Sequence, residues 1–197
     1  MNLQDIDISS YVEQLDDKKQ CSQLGFFSKP YMVDMDNTEV IVKRYHPLKK
    51  NVSFILESHD KYVNDLKKLG IKVPETRMVC VQKGAKQELV VLQNAFKEEE
   101  LVRSIFQKKP LEELLKIMEL LYNETVNFWI NNTNKENLGF HPTLRNYAIK
   151  DDELFYFDTV PPMNMQQNEL NKLIIQMARS EERRVGKECR SRWSPYH

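Results

Sequence analysis

The chain alternates between two spacings of apolar residues, and their order along the sequence predicts an ordered series of elements. Tyr31 to Val33 and Glu39 to Arg44 are short β-prone runs separated by MDNT, a turn-forming stretch, and read as a hairpin. From about Val52 to Leu69 the spacing becomes helical, with Tyr62, Val63, Leu66 and Leu69 near one face, and Gly70 ends the helix. Val79 to Gln82 and Leu89 to Gln93 are two further strands joined by KGAKQ, after which NAFKEEE marks a polar crossing. Pro110 stands at the expected first position of the longest amphipathic helix, Leu111 to Ile130. Asn131 to Asn137 is too polar to continue it. Asn146 to Ile149 and Leu154 to Phe157 form a small hairpin around KDDE, and Pro161 and Pro162 close the second strand because proline cannot extend a ladder.

Composition changes this picture at the C-terminal end. Arg179 to His197 reads RSEERRVGKECRSRWSPYH, which back-translates codon for codon to a widely used sequencing-library adapter and resembles its translation. Met1 to Ala178 holds 19 Lys and 4 Arg, whereas those last residues hold 5 Arg and 1 Lys. The segment is set aside from fold reasoning, and the natural chain is expected to continue differently after Ala178. What remains carries 23 basic and 26 acidic residues. A mildly acidic chain argues against nucleic acid or an anionic membrane as partner, since both require excess positive charge. Cys21 and Cys80 lack metal-ligand spacing and predict neither a disulfide framework nor a zinc site. The polar, acidic N-terminus has no signal-peptide pattern and no run is long enough to span a membrane, so the expected location is cytoplasmic. The N-x-S/T triplets at Asn51, Asn123 and Asn131 are read as chance occurrences in an Asn-rich chain.

The element order and four local patterns resemble the protein-kinase-like superfamily, in particular its aminoglycoside and small-molecule phosphotransferase branch, from about Gly25 to Pro162. In VIVKRY, Lys43 lies mid-strand among apolar neighbours, where the family keeps a lysine that grips nucleotide phosphates. LKKLGIKVPET resembles the end of the family's next helix and its entry to the following strand. That helix is expected to supply a carboxylate for Lys43; His59 occupies the counted position, Glu57 and Asp60 flank it, and Glu57 is the favoured partner. In FHPTLRNYAIKDDELFYFDTVPP, Asn146 and Asp158 stand twelve residues apart across the hairpin, as do the family's magnesium ligands. The chemistry suits hard oxygen donors, because Mg²⁺ keeps several waters and needs few protein ligands beside the phosphates. The fourth pattern is a departure. The family's catalytic aspartate stands five residues before the asparagine, where this chain has His141, the candidate base; if His141 is instead matched to the loop's leading histidine, the aspartate position falls on Thr143, and both registers lack the aspartate. A glycine-rich phosphate loop is also missing between Ser28 and Glu39, where Asn37 is the candidate left-handed turn residue.

The resemblance implies an α+β, two-lobed kinase-like fold with a truncated C-terminal lobe: residues 1–93 as the smaller lobe, 94–178 as a partial helical lobe, and 179–197 as the non-native tail. It implies Mg²⁺ and ATP as cofactors, bound through Lys43, Glu57, Asn146 and Asp158. Two classes stay open: a phosphotransferase acting on a hydroxyl of a small molecule, and an inactive pseudokinase serving as a binding or regulatory module for a protein partner. Beyond the site, Leu170, Leu173, Ile174 and Met177 form an apolar helical stripe.

Overall fold

The computed structural model describes residues 28–35, 38–45, 51–83, 86–132 and 138–164, together with Leu3, Ile8, Leu15 and Ile175. Cys21, Asn37, the stripe from Leu170 to Met177 and residues 179–197 lie outside the described residues.

The fold is α+β. Strands β1 (Ser28–Met35) and β2 (Thr38–Tyr45) form the expected hairpin, longer at each end than the apolar runs alone. Helix α1 (Val52–Lys68) begins at Asn51, whose side-chain oxygen accepts a 2.9 Å bond from the Ser53 amide. It ends before Gly70, at φ +86°, a conformation that favours glycine. Strands β3 (Thr76–Lys83) and β4 (Lys86–Asn94) follow, and β4 inserts beside β2 to give one antiparallel sheet in the order β1-β2-β4-β3. Helix α2 (Val102–Lys108) then precedes α3 (Leu111–Asn131), with Pro110 at the N-cap rather than one residue inside. A 3₁₀ turn (Leu144–Asn146) leads into the hairpin of β5 (Tyr147–Lys150) and β6 (Glu153–Tyr156). Asp151 and Asp152 both have positive φ at its tip, as a tight two-residue hairpin turn requires.

Period-two alternation gives the sheet two unlike faces. Tyr31, Val33, Val40, Val42, Val90 and Leu92 bury one face beneath Leu3, Ile8 and Leu15. On the other, Tyr45, Met78, Leu89 and Val91 pack with Ile55 of α1 and with Val160. A separate core joins α1, α2, α3 and the β5–β6 hairpin around Tyr62, Phe128, Phe140, Tyr147 and Tyr156. The chain from Tyr156 to Val160 therefore crosses from one core to another, and Asp158 lies on that crossing. The crossing is anchored where the Tyr156 amide bonds Lys72 O at 2.8 Å, just beyond α1.

Candidate functional site

Lys43 occupies the sheet face that meets α1 and Val160, because it alternates with Val42 and shares its side with Tyr45. Its strand partner is Val91, and Gln93 lies diagonally beyond it on β4. The ammonium is buried and donates to Gln93 Oε1 at 2.8 Å and to the Phe157 carbonyl at 2.7 Å. It also stands 5.5 Å from the Phe157 ring centroid. Burial pulls its pKa down from 10.5 to about 8, and the nearby Asp158 carboxylate opposes the shift. At neutral pH the group remains a cation.

Asn146 and Asp158 converge from the two sides of the β5–β6 hairpin. The Phe157 amide bonds Asn146 O at 3.0 Å, which fastens the end of β6 to the start of β5. The Asn146 side-chain nitrogen donates to His141 O at 2.9 Å and lies 3.3 Å from His141 Nδ1. With the nitrogen so engaged, the amide oxygen remains available as an acceptor. His141 Nδ1 also stands 3.9 Å from Asp158 Oδ2, and both side chains keep about a quarter of their surface in solvent, at 26% and 30%. Four of the five residues singled out from sequence, Lys43, His141, Asn146 and Asp158, are thus gathered at one place.

Glu57 is the exception. It is exposed on α1, while the buried positions of that helix are Ile55, His59, Tyr62, Val63, Asp65 and Leu66. Two residues of helix turn through about 200°, so a helix that buries His59 turns Glu57 away from Lys43. The lysine takes an amide and a carbonyl as partners in place of the expected carboxylate. His59, fully buried, points at the crossing segment, with Nε2 3.2 Å from Thr159 Oγ1.

Beneath the cluster, Tyr62, Tyr147 and Tyr156 are fully buried, and the Tyr62 hydroxyl donates to Gly139 O at 3.2 Å. Burial raises the pKa of all three, with Asp158 adding to the effect on Tyr62 and Tyr156. They stay neutral and form an uncharged floor. A cleft of 510 Å³ opens elsewhere, lined by Leu69, Lys72, Leu120, Glu124, Asp152 and Leu154 among others, and includes none of the five candidate residues.

Among the described residues there is no group of three or more His, Cys, Asp or Glu side chains arranged to hold a metal. The cluster instead offers two hard oxygen donors, from Asn146 and Asp158. That set suits a hard cation such as magnesium whose remaining ligands would be water and phosphate.

A family model described as a family of unknown function (DUF6206) matches residues 8–187, most of the chain. The chain belongs to that family. All the residues of the cluster, and His59 with them, fall inside the match, which also runs past Ala178 into the segment that resembles adapter sequence. No curated protein matches the chain.

In this member of the family, Gln93 and Thr159 complete the surroundings of Lys43 and Asp158, and sequence reasoning passed over both. Gln93 was visible only as a strand end, since its meeting with Lys43 depends on β4 pairing with β2 across 50 residues. For His59 a signal was present: it falls four residues after Ile55 and three before Tyr62, on the apolar stripe of α1.

Proposed function

We propose that this protein has a kinase-like, two-lobed arrangement and binds a nucleoside triphosphate with Mg²⁺ at the cluster of Lys43, Asn146 and Asp158. The carrying observation is that a buried ammonium and two oxygen donors, separated by more than 100 residues, meet on the segment that crosses between two cores. Lys43 would place positive charge against phosphate oxygens, and Asn146 Oδ1 and the Asp158 carboxylate would hold the metal. The ion itself would neutralise phosphate charge. The protein is expected to work in the cytoplasm.

Two activities fit this reading. In the first, the protein transfers phosphate to a hydroxyl of a small molecule, with His141 taking the proton. In the second it is a binding or regulatory module. The absence of the family's aspartate favours the second, because His141 stands in its place, with Nδ1 3.3 Å from the Asn146 amide nitrogen and 3.9 Å from the Asp158 carboxylate. An Nδ1 that accepts from Asn146 leaves only Nε2 to meet a substrate, and there as a donor.

Calorimetric titration of the protein with ATP, with and without Mg²⁺, tests the proposal. Asp158→Ala is expected to cost roughly 2 to 4 kcal/mol of magnesium-dependent affinity, and His141→Ala about 1 or less. Magnesium-independent binding, or binding indifferent to Asp158→Ala, rules the metal assignment out. Turnover that disappears in His141→Ala selects the transferase.

A further inference from the structure

We propose that His59 and Thr159 form a positioning pair that fixes the Asp158 carboxylate for metal binding, an inference that rests on the magnesium–nucleotide reading above. Asp158 lies on chain that belongs to neither β5 nor β6, and unpaired backbone of this kind needs tethers to hold a side chain in one orientation. The tethers bracket it. On one side, the Phe157 amide donates to Asn146 O at 3.0 Å and the Phe157 carbonyl accepts from Lys43 at 2.7 Å. On the other side, Thr159 is fully buried and its hydroxyl meets His59 Nε2 at 3.2 Å.

The pair is the only one of these tethers that joins the segment to α1. His59 is fully buried mid-helix, and among the described residues its Nδ1 has no hydrogen-bond partner, with an Asp60 carboxylate oxygen 3.8 Å away. A buried imidazole with one nitrogen unmatched carries a desolvation cost, which the bond at the other nitrogen only partly offsets. Its one side-chain hydrogen bond among the described residues is to the residue after Asp158. Val160 next packs among Tyr45, Ile55 and Val91, so the Thr159 bond and the Val160 contact hold the same stretch against α1 and the sheet. Ser58, preceding His59, also exchanges bonds with Asn164 at 2.8 Å, which keeps this turn of α1 registered on the returning chain. The carboxylate so held stands 3.9 Å from His141 Nδ1, acts on the charge of Lys43, and keeps the 30% exposure that a metal ligand needs.

The test is a cycle of variants read by magnesium-dependent ATP binding and by thermal unfolding in parallel. Thr159→Val keeps the shape and removes the hydroxyl; His59→Leu removes the imidazole; His59→Gln places an amide near the position of Nε2. Thr159→Val and His59→Leu are each expected to weaken Mg·ATP binding about three- to ten-fold at temperatures where both remain folded. The double variant should be no weaker than the worse single one, and His59→Gln should stay within about two-fold of the unmodified protein. Unchanged affinity in Thr159→Val, alongside a loss in Asp158→Ala, overturns the pair while leaving the metal site intact. Should the unmodified protein bind no Mg·ATP, the nucleotide reading fails by itself and the pair is judged without ligand. Amide exchange at Phe157 should then accelerate about ten-fold in Thr159→Val relative to amides of β2 and β4. Exchange that does not change contradicts the pair.

Discussion

An ammonium has three donors, and Lys43 places two of them on Gln93 Oε1 and the Phe157 carbonyl. Burial nevertheless outweighs these bonds and the pull of Asp158, since its pKa falls to about 8 from 10.5. Between those values the folded chain binds fewer protons at this site than the unfolded chain, so stability rises with pH across the window. Below pH 8 the full cost of the buried charge, about 3 kcal/mol, is present. Lys43→Met should therefore flatten the pH dependence of stability between about pH 8 and 10, measured by urea unfolding at several pH values. In the unmodified protein, Mg·ATP affinity should decline over the same window as the charge is lost. A stability profile identical in protein and variant would contradict the burial of a charged Lys43. Glu57 shows the opposite case, since a carboxylate expected from resemblance conflicts with the helical period. The stripe through Ile55, Tyr62, Val63 and Leu66 already placed residue 59 inward and residue 57 outward.

At the scale of elements, strands and long helices were legible because each carries enough periodic positions to show its spacing. β1, β2, β3 and β4 extend past their apolar runs, since pairing recruits polar neighbours such as Thr38 and Thr76 that propensity alone does not mark. Helix α2 was missed: its seven residues, VRSIFQK, span about two turns, too short for a period to be distinguished from a loop. The small hairpin runs from Tyr147 to Tyr156, so Asn146 and Phe157, which the apolar pattern counts as strand residues, fall just outside the ladder that positions them. Helix α3 makes its own prediction through Glu124. Burial pushes this carboxyl up to about 7, against the Tyr147 hydroxyl and Lys72, which pull it down. The folded state then binds the extra proton between about pH 4.5 and 7, so stability is lost as pH rises through that range. Glu124→Gln should be more stable than the unmodified protein by roughly 1 to 2 kcal/mol at pH 8, with allowance for its partial exposure. Near pH 4.5 the difference should vanish. An equal effect at both pH values in denaturant melts would show that packing, not ionisation, sets the change.

Across the whole molecule, the candidate site lies where the returning chain passes from one core to another, with α1 contributing to both. Tyr156 belongs to the core of α1, α3 and the small hairpin, and Val160 to the core between α1 and the sheet. No helix among the described residues is long and apolar enough to cross a membrane. Helix α3 turns Leu111, Leu115, Met118, Tyr122 and Trp129 outward, each between 46% and 69% exposed, while Ile117, Leu121 and Phe128 face the core. With apolar residues on both sides, the helix was legible from its sequence but its inner face was not, and the approach of Lys43 to the segment that carries Asp158 was expected only through resemblance. Paramagnetic broadening by Mn²⁺, which replaces Mg²⁺ at oxygen sites, locates a bound metal within the fold most directly. In amide spectra of the labelled protein with ATP, substoichiometric Mn²⁺ is expected to broaden His141, Asn146, Asp158 and Thr159, and Asp158→Ala should remove that pattern. Broadening that ignores ATP, or that centres on Asp152 and Glu153 at the separate cleft, would contradict a magnesium–nucleotide site at this cluster.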